Sequence, residues 1–509
     1  MRRPSPKIIL AVIAFGVFVA ADDLTVVSTM LRQIIFDLEI PLPAGLNDAA
    51  WIVNSYLIAY VVIMPFVGRL SDIIGRRPVF ITSLTLFLIG SIWLPNAPDL
   101  PTFIAGRVLT ALGGGAMVPV GMAVIGDIFP PEKRPSALGI LGAIDTAGWV
   151  WGPLYGALLV SFLSWRWQFY LNIPLSIIGI AAAWWALQDL PKPQRRAGLD
   201  WLGTAVLTIT LIALNIALLN SGNIQSVSTL NQLSDSDPPL TWPLYILAAV
   251  GIIAFIIIER RLAKRQYQPS AEGTGKTAAA PPLIDPSLFQ RPNFSPAIII
   301  NFLVGMVLII AMINVPLLIN VLEFDLESAA LTSGLLLSAM TAAMAITAYL
   351  GGRLTERWHY RPVTWLGLGA CVIGFGLMGL SWEPTTPYLQ MAWQLAVLGA
   401  GFGLVTAPIG TAVINAAPGD QRGIAASLVI VLRLMGMSVG LSGLTAWGLY
   451  RFDILRMQIE LPPFTDPGYP SAVTEALTNT TVMVLTETFL ISAVIAALAF
   501  LVVFRLRKR

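Results

Sequence analysis

The hydrophobic residues of this chain form long runs, interrupted by short stretches of charged residues, proline, glycine and asparagine. A helix needs about 20 mostly apolar residues to cross the hydrocarbon core of a bilayer, and fourteen runs approach or exceed that length. We therefore predict an all-α membrane protein with fourteen transmembrane helices. Their approximate positions are 8–31, 49–67, 79–95, 101–124, 136–162, 168–187, 200–220, 241–259, 295–319, 329–350, 364–381, 388–413, 423–449 and 483–504.

Lysine and arginine are distributed unevenly between these runs. Most of the 31 basic residues lie before the first run, after every second run, or after the last run. Basic residues collect on the cytoplasmic side of a membrane, and an even number of spans puts both chain ends on one side. We predict a multi-pass protein of the cell membrane whose N- and C-termini are cytoplasmic.

The composition excludes several classes of protein. Hydrophobic residues make up 56% of the chain and charged residues 12%, whereas a soluble domain carries about 25% charged residues. A net charge of +3 gives no reason to expect a nucleic-acid partner. The single histidine, His359, and single cysteine, Cys371, cannot form a His/Cys metal cluster or the histidine cluster of a membrane-embedded enzyme, although a carboxylate site stays open. We expect no enzyme, no cofactor and no resident metal.

An internal repeat indicates two related halves. Residues 68–79 and 352–363 both begin with Gly-Arg-Leu and end with Arg-Pro-Val, and each segment follows the second span of a group of six. Parallel six-span repeats around a central site are a known transporter architecture. We predict an N-terminal six-helix bundle at 1–190, two inserted spans at 191–262, a cytoplasmic linker at 263–293 and a C-terminal six-helix bundle at 294–509.

Residues 68–79 resemble the loop motif of major facilitator superfamily transporters. Fourteen spans, the acidic Asp23 in the first span and the segment 165–174 are similar to the fourteen-span drug:proton antiporter branch. Within that branch, residues 51–53, 152–156 and 433–437 most resemble mycobacterial exporters of triacylglycerides and other lipids. The resemblance implies the major facilitator fold, with two six-helix bundles plus two inserted spans, and alternating access.

The loop motif contains a carboxylate, Asp72, beside Arg76 and Arg77 and between Gly68 and Gly75. A carboxylate at a membrane surface can accept hydrogen bonds from arginine and from the free N–H groups of a helix terminus. We predict that these five residues form a latch between the two halves on the cytoplasmic side. The alternative is a topological anchor whose charges only fix the orientation of the chain.

Charged side chains within the predicted spans are costly. A charge near the bilayer centre costs roughly 2.5–3.5 kcal/mol on insertion scales, so such groups face the bundle interior or a cavity. We predict that Asp23 pairs with Arg433 across the central cavity, and that protonation of Asp23 breaks the pair and frees the halves to move. An ion pair that never titrates is the alternative. The adjacent Asp22 is a second candidate for the proton-coupling group, and the sequence does not decide which of the two carboxylates faces the cavity. In another interpretation both lie near the outer surface and are solvated.

The fifth span carries a stripe of small residues at four-residue spacing, Gly148, Gly152 and Gly156, with a kinking Pro153. The stripe resembles the antiporter motif of exporters. Asp145, one turn before it, is a further candidate for contact with a proton or substrate. Its position is one residue earlier than the acid of the related lipid exporters, and this difference leaves its role open.

Arg107 in the fourth span resembles the arginine of the family's span-4 motif, and either relays protons or pairs with Asp22. Together these features predict a proton-coupled antiporter that exports lipids such as triacylglycerides, or drugs. The alternative is a proton-coupled importer of a small anionic solute held by Arg433 and Arg107. Expected partners are membrane lipid, a hydrophobic substrate and a lipid-carrier protein at the periplasmic or outer surface; we expect a monomer.

Overall fold

The computed structural model describes residues 4–41, 46–190, 198–221, 241–267, 281–323, 325–459, 463, 466 and 468–507. Within these ranges the regular structure is helical, with fourteen long helices and four short 3-10 turns. The long helices are α1 (Pro6–Asp37), α2 (Leu46–Ile74), α3 (Arg76–Trp93), α4 (Leu100–Ile128), α5 (Arg134–Phe162), α6 (Arg166–Ala186), α7 (Trp201–Ser221), α8 (Trp242–Tyr267), α9 (Phe294–Leu322), α10 (Leu326–Trp358), α11 (Tyr360–Ser381), α12 (Tyr388–Ala416), α13 (Arg422–Arg456) and α14 (Tyr469–Val502).

Each predicted span falls in its own helix, and the all-α membrane fold is confirmed. Thirteen of the fourteen helices in the described ranges have the length and hydropathy of a membrane span, and α5 supplies the remaining predicted one. Most helices are longer than the apolar run that predicted them, because polar turns continue the helix beyond the hydrocarbon. For example, α2 ends at Ile74 and α13 at Arg456.

The internal repeat is visible in the backbone. Gly75, between α2 and α3, has a φ of 103°, and His359, at the matching position between α10 and α11, has a φ of 66°. Positive φ is natural for glycine and strained for histidine. The second copy of the repeat therefore keeps the turn although it lacks the residue that favours it.

The helices meet in an arrangement that follows the repeat. Helix α2 packs on α13 and α5 packs on α10, so the second helix of each group of six contacts the fifth helix of the other. We call these two contacts the α2–α13 seam and the α5–α10 seam. The inserted helices α7 and α8 pack on each other, and α7 also contacts α2 and α13. The predicted domain boundaries stay predictions, and linker residues 268–280 lie outside the described residues.

The two ends of the helix bundle carry different loops, and both chain termini lie at the same end. The start of α1, the turns after α2, α4, α10 and α12, and the end of α14 lie on one end, which we call the termini face. Contacts of Arg134 with Asn415 and of Asn293 with Arg507 join parts of this face. The loops after α1, α3, α9, α11 and α13 lie on the opposite face.

Candidate transport site and inter-half latch

Asp23 of α1 and Arg107 of α4 form a buried ion pair inside the N-terminal half. The Asp23 Oδ2 and Arg107 Nη1 atoms are 2.9 Å apart, and the side chains are 0% and 1% exposed. The Asn172 side chain donates to Asp23 Oδ1 over 3.4 Å. The guanidinium of Arg107 lies 4.0 Å from the ring centroid of Tyr56. These contacts neutralise the charge of Asp23 within one half.

This geometry corrects two predictions about pairing. The predicted pair of Asp23 with Arg433 is wrong, because Asp23 is paired with Arg107. The predicted pair of Arg107 with Asp22 is wrong for the same reason. Helix α1 packs on α4, α5 and α6 of its own half, so a residue on its inward face meets α4 before it can reach α13.

Asp22 points to a different neighbour. The Gln168 side chain of α6 donates to Asp22 Oδ2 over 2.9 Å, and Asp22 is only 6% exposed. Its other oxygen, Oδ1, has no hydrogen-bond partner in the described part of the chain. Neither Asp22 nor Asp23 is among the residues that line the pocket between the halves. Both carboxylates therefore make their contacts inside the N-terminal half.

A small pocket between the halves holds the two other predicted charges. Asp145 of α5 and Arg433 of α13 line it together with Tyr60 of α2 and Trp149 of α5. The guanidinium of Arg433 lies 5.8 Å from the ring centroid of Trp149, and its Nε has no partner among the described residues. Arg433 is the charged side chain that interacts electrostatically with Asp145. The pocket thus places opposite charges from the two halves in one space.

The pocket measures about 70 Å³, whereas sites for small organic ligands are about 300–1,000 Å³. The helices are therefore closed around Asp145 and Arg433 in this conformation. Any bulky molecule that binds there must first move the helices of the two halves apart.

A larger cavity of about 490 Å³ lies at the termini face between α1, α5 and α10. Its wall is mainly apolar, with Leu10, Ile140 and Ile144 among the lining residues. Lys7, Lys133 and Glu356 stand at its edge. Sequence reasoning missed this cavity, because a gap between three helices leaves no pattern in any one of them.

The α2–α13 seam contains the predicted contact of a carboxylate with a helix terminus. The backbone N–H groups of Gly423 and Ile424, in the first turn of α13, donate to the two oxygens of Asp72 over 2.9 and 3.0 Å. Arg76 Nη1 lies 2.5 Å from Asp72 Oδ1, and this pair is almost fully buried. The free N–H groups and the positive end of the α13 dipole explain why a carboxylate fits there.

Further charges extend this contact. Asp127, at the end of α4, pairs with Arg76 over 3.1 Å and with Arg422 over 2.9 Å. Arg69 donates to the backbone carbonyl of Asp420 over 3.3 Å. We call the set of Arg69, Asp72, Arg76, Asp127 and Arg422 the latch network. The sequence analysis missed Arg69, Asp127 and Arg422. Arg69 lies in the internal repeat, whereas the only signal of Asp127 and Arg422 was their position at the ends of spans.

Arg77 does not join the latch network, and its predicted place there is wrong. Its guanidinium donates to the backbone carbonyl of Trp184 over 2.9 Å and lies 4.5 Å from the Trp184 ring centroid. Arg77 therefore ties α3 to α6 within one half. Successive residues on a helix point about 100° apart, so Arg76 and Arg77 cannot both face α13.

Two glycines allow α2 and α13 to touch. A Cβ on Gly68 would lie 2.6 Å from the carbonyl oxygen of Gly423, and a Cβ on Gly423 would lie 2.5 Å from Ser71 Oγ. Neither site has room for a side chain. Gly75 belongs to the turn described above rather than to this contact.

The small-residue stripe of α5 packs against α1. A Cβ on Gly148, Gly152 or Gly156 would lie 2.9–3.1 Å from a backbone carbonyl oxygen of α1. The stripe therefore brings the two helices together at the level of Asp22. Pro153 lies within α5, and its side chain is outside the described residues.

The comparisons with known proteins agree with this geometry. The family model of the Major Facilitator Superfamily matches residues 13–233 and 230–441. The chain belongs to this superfamily. It is a membrane transporter and not an enzyme.

Relatives of the transporter include a triacylglyceride transporter of Mycolicibacterium hassiacum, 30% identical over 92% of this chain and 84% of the relative. Multidrug resistance protein 3 of Bacillus subtilis is 28% identical over 87% of this chain and 79% of the relative. Among solved structures, the human organic anion transporter MFSD10 has a TM-score of 0.62 at 14% identity and covers 98% of this chain and 100% of that one. The proton:xylose symporter XylE has a TM-score of 0.61 at 14% identity, over 97% and 94% of the chains. The solved structures support the fold alone.

Proposed function

We propose that this transporter exports bulky apolar or amphiphilic molecules, lipids such as triacylglycerides or drugs, in exchange for protons by alternating access. The observation that carries the proposal is the shared pocket of Asp145 and Arg433, which come from opposite halves. The names of the curated relatives, triacylglyceride transporters and a multidrug resistance protein, support the substrate class.

Asp145 is the group best suited to couple protons to movement. Arginine stays charged in proteins, so the charge of Asp145 alone decides whether the two halves attract at this pocket. A proton on Asp145 removes the attraction to Arg433, and the cost of separating α5 from α13 falls. An ionised Asp145 draws the halves together again.

The Asp23–Arg107 pair has a supporting role in this proposal. It is fully buried and its oxygens are occupied, so breaking it would leave a buried charge unpaired, which is strongly unfavourable. Asp22, with one unpartnered oxygen, is the group in α1 that can accept a proton. Its backbone touches the glycine stripe at Gly152, so a change at Asp22 reaches α5, the helix of Asp145.

The latch network supports a closed cytoplasmic side. If the termini face is cytoplasmic, as the distribution of basic residues predicts, the contact of Asp72 with the start of α13 closes the protein toward the cytoplasm. Opening requires Asp72 to give up the N–H groups of Gly423 and Ile424. The latch network would then favour the outward-directed part of the cycle.

The apolar cavity between α1, α5 and α10 offers a route for a lipid substrate. It lies at the termini face, and Lys7 and Lys133 stand where the headgroup region of the inner leaflet would be. Apolar walls suit acyl chains, whereas sugars need many hydrogen-bond partners. The lipid-carrier partner and the monomeric state stay predictions.

Import of a small anion is the second candidate, and one observation favours it. Arg433 faces the central pocket, and its Nε has no hydrogen-bond acceptor in the described part of the chain. Such a group could bind a carboxylate or phosphate. Asp145 in the same pocket counts against it, because a fixed negative charge repels an anion.

The test is transport in proteoliposomes with an imposed pH gradient, using a fluorescent triacylglyceride, a cationic dye and a radiolabelled organic anion. We expect the native protein to move the lipid or the dye against its gradient, and Asp145→Asn to lose this gradient-driven step. Glu132→Gln, the same change at an exposed carboxylate of the termini face, should transport as the native protein does. Uphill transport by Asp145→Asn would contradict the coupling role, and uptake of the anion alone would favour the importer.

A further inference from the structure

Two buried carboxylates lie away from the central pocket, at the base of the inserted helices. Asp200 immediately precedes α7 and Glu259 lies near the end of α8. They are 7% and 3% exposed. Neither belongs to the latch network or to the pocket of Asp145, and the proposed transport cycle does not use them.

Each carboxylate has one oxygen with a donor and one without. The backbone N–H of Gly203 donates to Asp200 Oδ1 over 3.0 Å, and the backbone N–H of Ile284 donates to Glu259 Oε2 over 3.3 Å. Asp200 Oδ2 and Glu259 Oε1 are buried with no donor among the described residues.

These two undonated oxygens converge on one point. A Cβ on Gly203 would lie 2.7 Å from Glu259 Oε1 and closer still to Asp200 Oδ2. Glycine at this position is what allows the two carboxyl groups to approach. The two oxygens therefore face each other over Gly203.

Two ionised carboxylates in this position would repel each other in a poorly solvated space. Among the elements packed against α8, Asp200 is the charged side chain that interacts electrostatically with Glu259. The neighbouring Arg260 and Arg261 are exposed, and Asp285 in the segment before α9 is directed to Gln421. One proton between the two oxygens turns the repulsion into a hydrogen bond.

We propose that Asp200 and Glu259 share one proton, and that this second proton site fastens the segment 283–285 to the inserted helices. The proposal is independent of the transported substrate and of the coupling role of Asp145.

The site is connected to the latch network through this segment. Ile284 donates to Glu259, and the next residue, Asp285, accepts from the Gln421 side chain over 3.4 Å. Gln421 follows Asp420, whose carbonyl accepts from Arg69 of the latch network. When the shared proton is lost at higher pH, the two negative charges should separate and loosen segment 283–285. Protonation at lower pH should hold it in place.

The first test follows the burial of this segment in the full-length protein. Leu283 is 1% exposed, so a Leu283→Cys thiol should react slowly with a maleimide at low pH and faster as the pH rises. Gln290→Cys, at an exposed position shortly after this segment, corrects for the intrinsic pH dependence of thiol reactivity. The native Cys371 is buried and sets the background.

Glu259→Gln tests the proposal more directly, because the glutamine amide can donate a hydrogen bond to Asp200 Oδ2 at every pH. The corrected labelling of Leu283→Cys should then stay low across the pH range, while Glu132→Gln should keep the native rise. Labelling that is independent of pH in the native background, or that rises equally in Glu259→Gln, would overturn the proposal.

A second measurement needs no cysteine and no transport. The infrared spectrum of the native protein should contain the carbonyl stretch of a protonated carboxyl group that Glu259→Gln removes and that Asp200→Asn shifts, because the hydrogen-bond partner changes from a carboxylate to an amide. If both variants are folded and Glu259→Gln keeps the full band, or Asp200→Asn leaves its frequency unchanged, the two residues do not share a proton.

Discussion

The two seams between the halves are related by the internal repeat but are built differently. At the α2–α13 seam, Asp72 binds the first turn of α13 and the latch network surrounds the contact. At the α5–α10 seam, the matching residue, Glu356, is exposed, and the large apolar cavity lies beside it. Glycine contact is common to both, since a Cβ on Gly352 would lie 3.1 Å from the Cα of Gly139.

This difference shows what each seam can do. The α2–α13 seam has buried charges that must be re-paired or hydrated if it opens. Among the described residues, the α5–α10 seam consists of glycine packing beside the apolar cavity. One repeat thus lies at a charged contact between the halves in its first copy and beside an apolar cavity in its second copy.

The largest expected effect comes from removing the carboxylate of the charged seam. Asp72→Ala removes the more deeply buried of the two carboxylates that pair with Arg76 and leaves two N–H groups of α13 without that acceptor, which should cost about 3–5 kcal/mol of the closed arrangement. A thiol at Ser427, a buried seam residue, reports opening through its maleimide labelling rate. We expect the rate to rise by roughly two to three and a half orders of magnitude, since every 1.4 kcal/mol is tenfold.

Glu356→Ala is the matched control for this change, because Glu356 occupies the equivalent position in the repeat and is exposed. Its effect on the same labelling rate should be small, within about 0.5 kcal/mol. Equal effects of the two substitutions would show that the seams are not different in the way the contacts indicate.

A smaller effect is expected from filling the glycine contact of the charged seam. Gly423→Ala places a methyl group against Ser71 and the Arg76 guanidinium, and overpacking of this kind costs about 1–3 kcal/mol. Labelling of the Ser427 thiol should rise, and the thermal midpoint should fall. Gly443→Ala, in the same helix with open space around it, should leave both unchanged; a fall of the midpoint with Gly443→Ala alone would contradict this account.

The smallest effect concerns the two turns of the repeat. His359 holds a φ of 66°, a strain of about 1–3 kcal/mol for a residue with a side chain. His359→Gly should therefore raise the free energy of unfolding by about 1 kcal/mol after the entropy cost of glycine is counted. Gly75→His should lower it, and this can be checked by thermal unfolding in detergent. Destabilisation by His359→Gly would mean that the histidine side chain makes a contact worth more than the strain.

Features that lie within one helix or one loop could be predicted from the sequence. The fourteen apolar runs, the glycine stripe of α5 and the carboxylate of Asp72 each depend on local spacing. Asp72 was predictable because a carboxylate next to a membrane surface and beside an arginine has few other acceptable partners.

Pairing between distant helices could not be predicted in the same way. The partner of Asp23 depends on which faces of α1, α4 and α13 turn inward, and a difference of one residue rotates a side chain by about 100°. Arg107 and Arg433 were both chemically suitable, and only the packing of α1 on α4 decides between them. The facing carboxylates Asp200 and Glu259 are 59 positions apart in sequence by their numbers and meet where the start of α7 packs against the end of α8, which no local pattern marks.

The most direct test of the central claim is proton release from the purified protein when substrate binds. If Asp145 exchanges a proton for substrate at the pocket between the halves, adding a transported lipid or dye to the native protein in weak buffer should acidify the solution. Asp145→Asn should abolish this release while Glu132→Gln retains it. Undiminished release from Asp145→Asn would contradict the account.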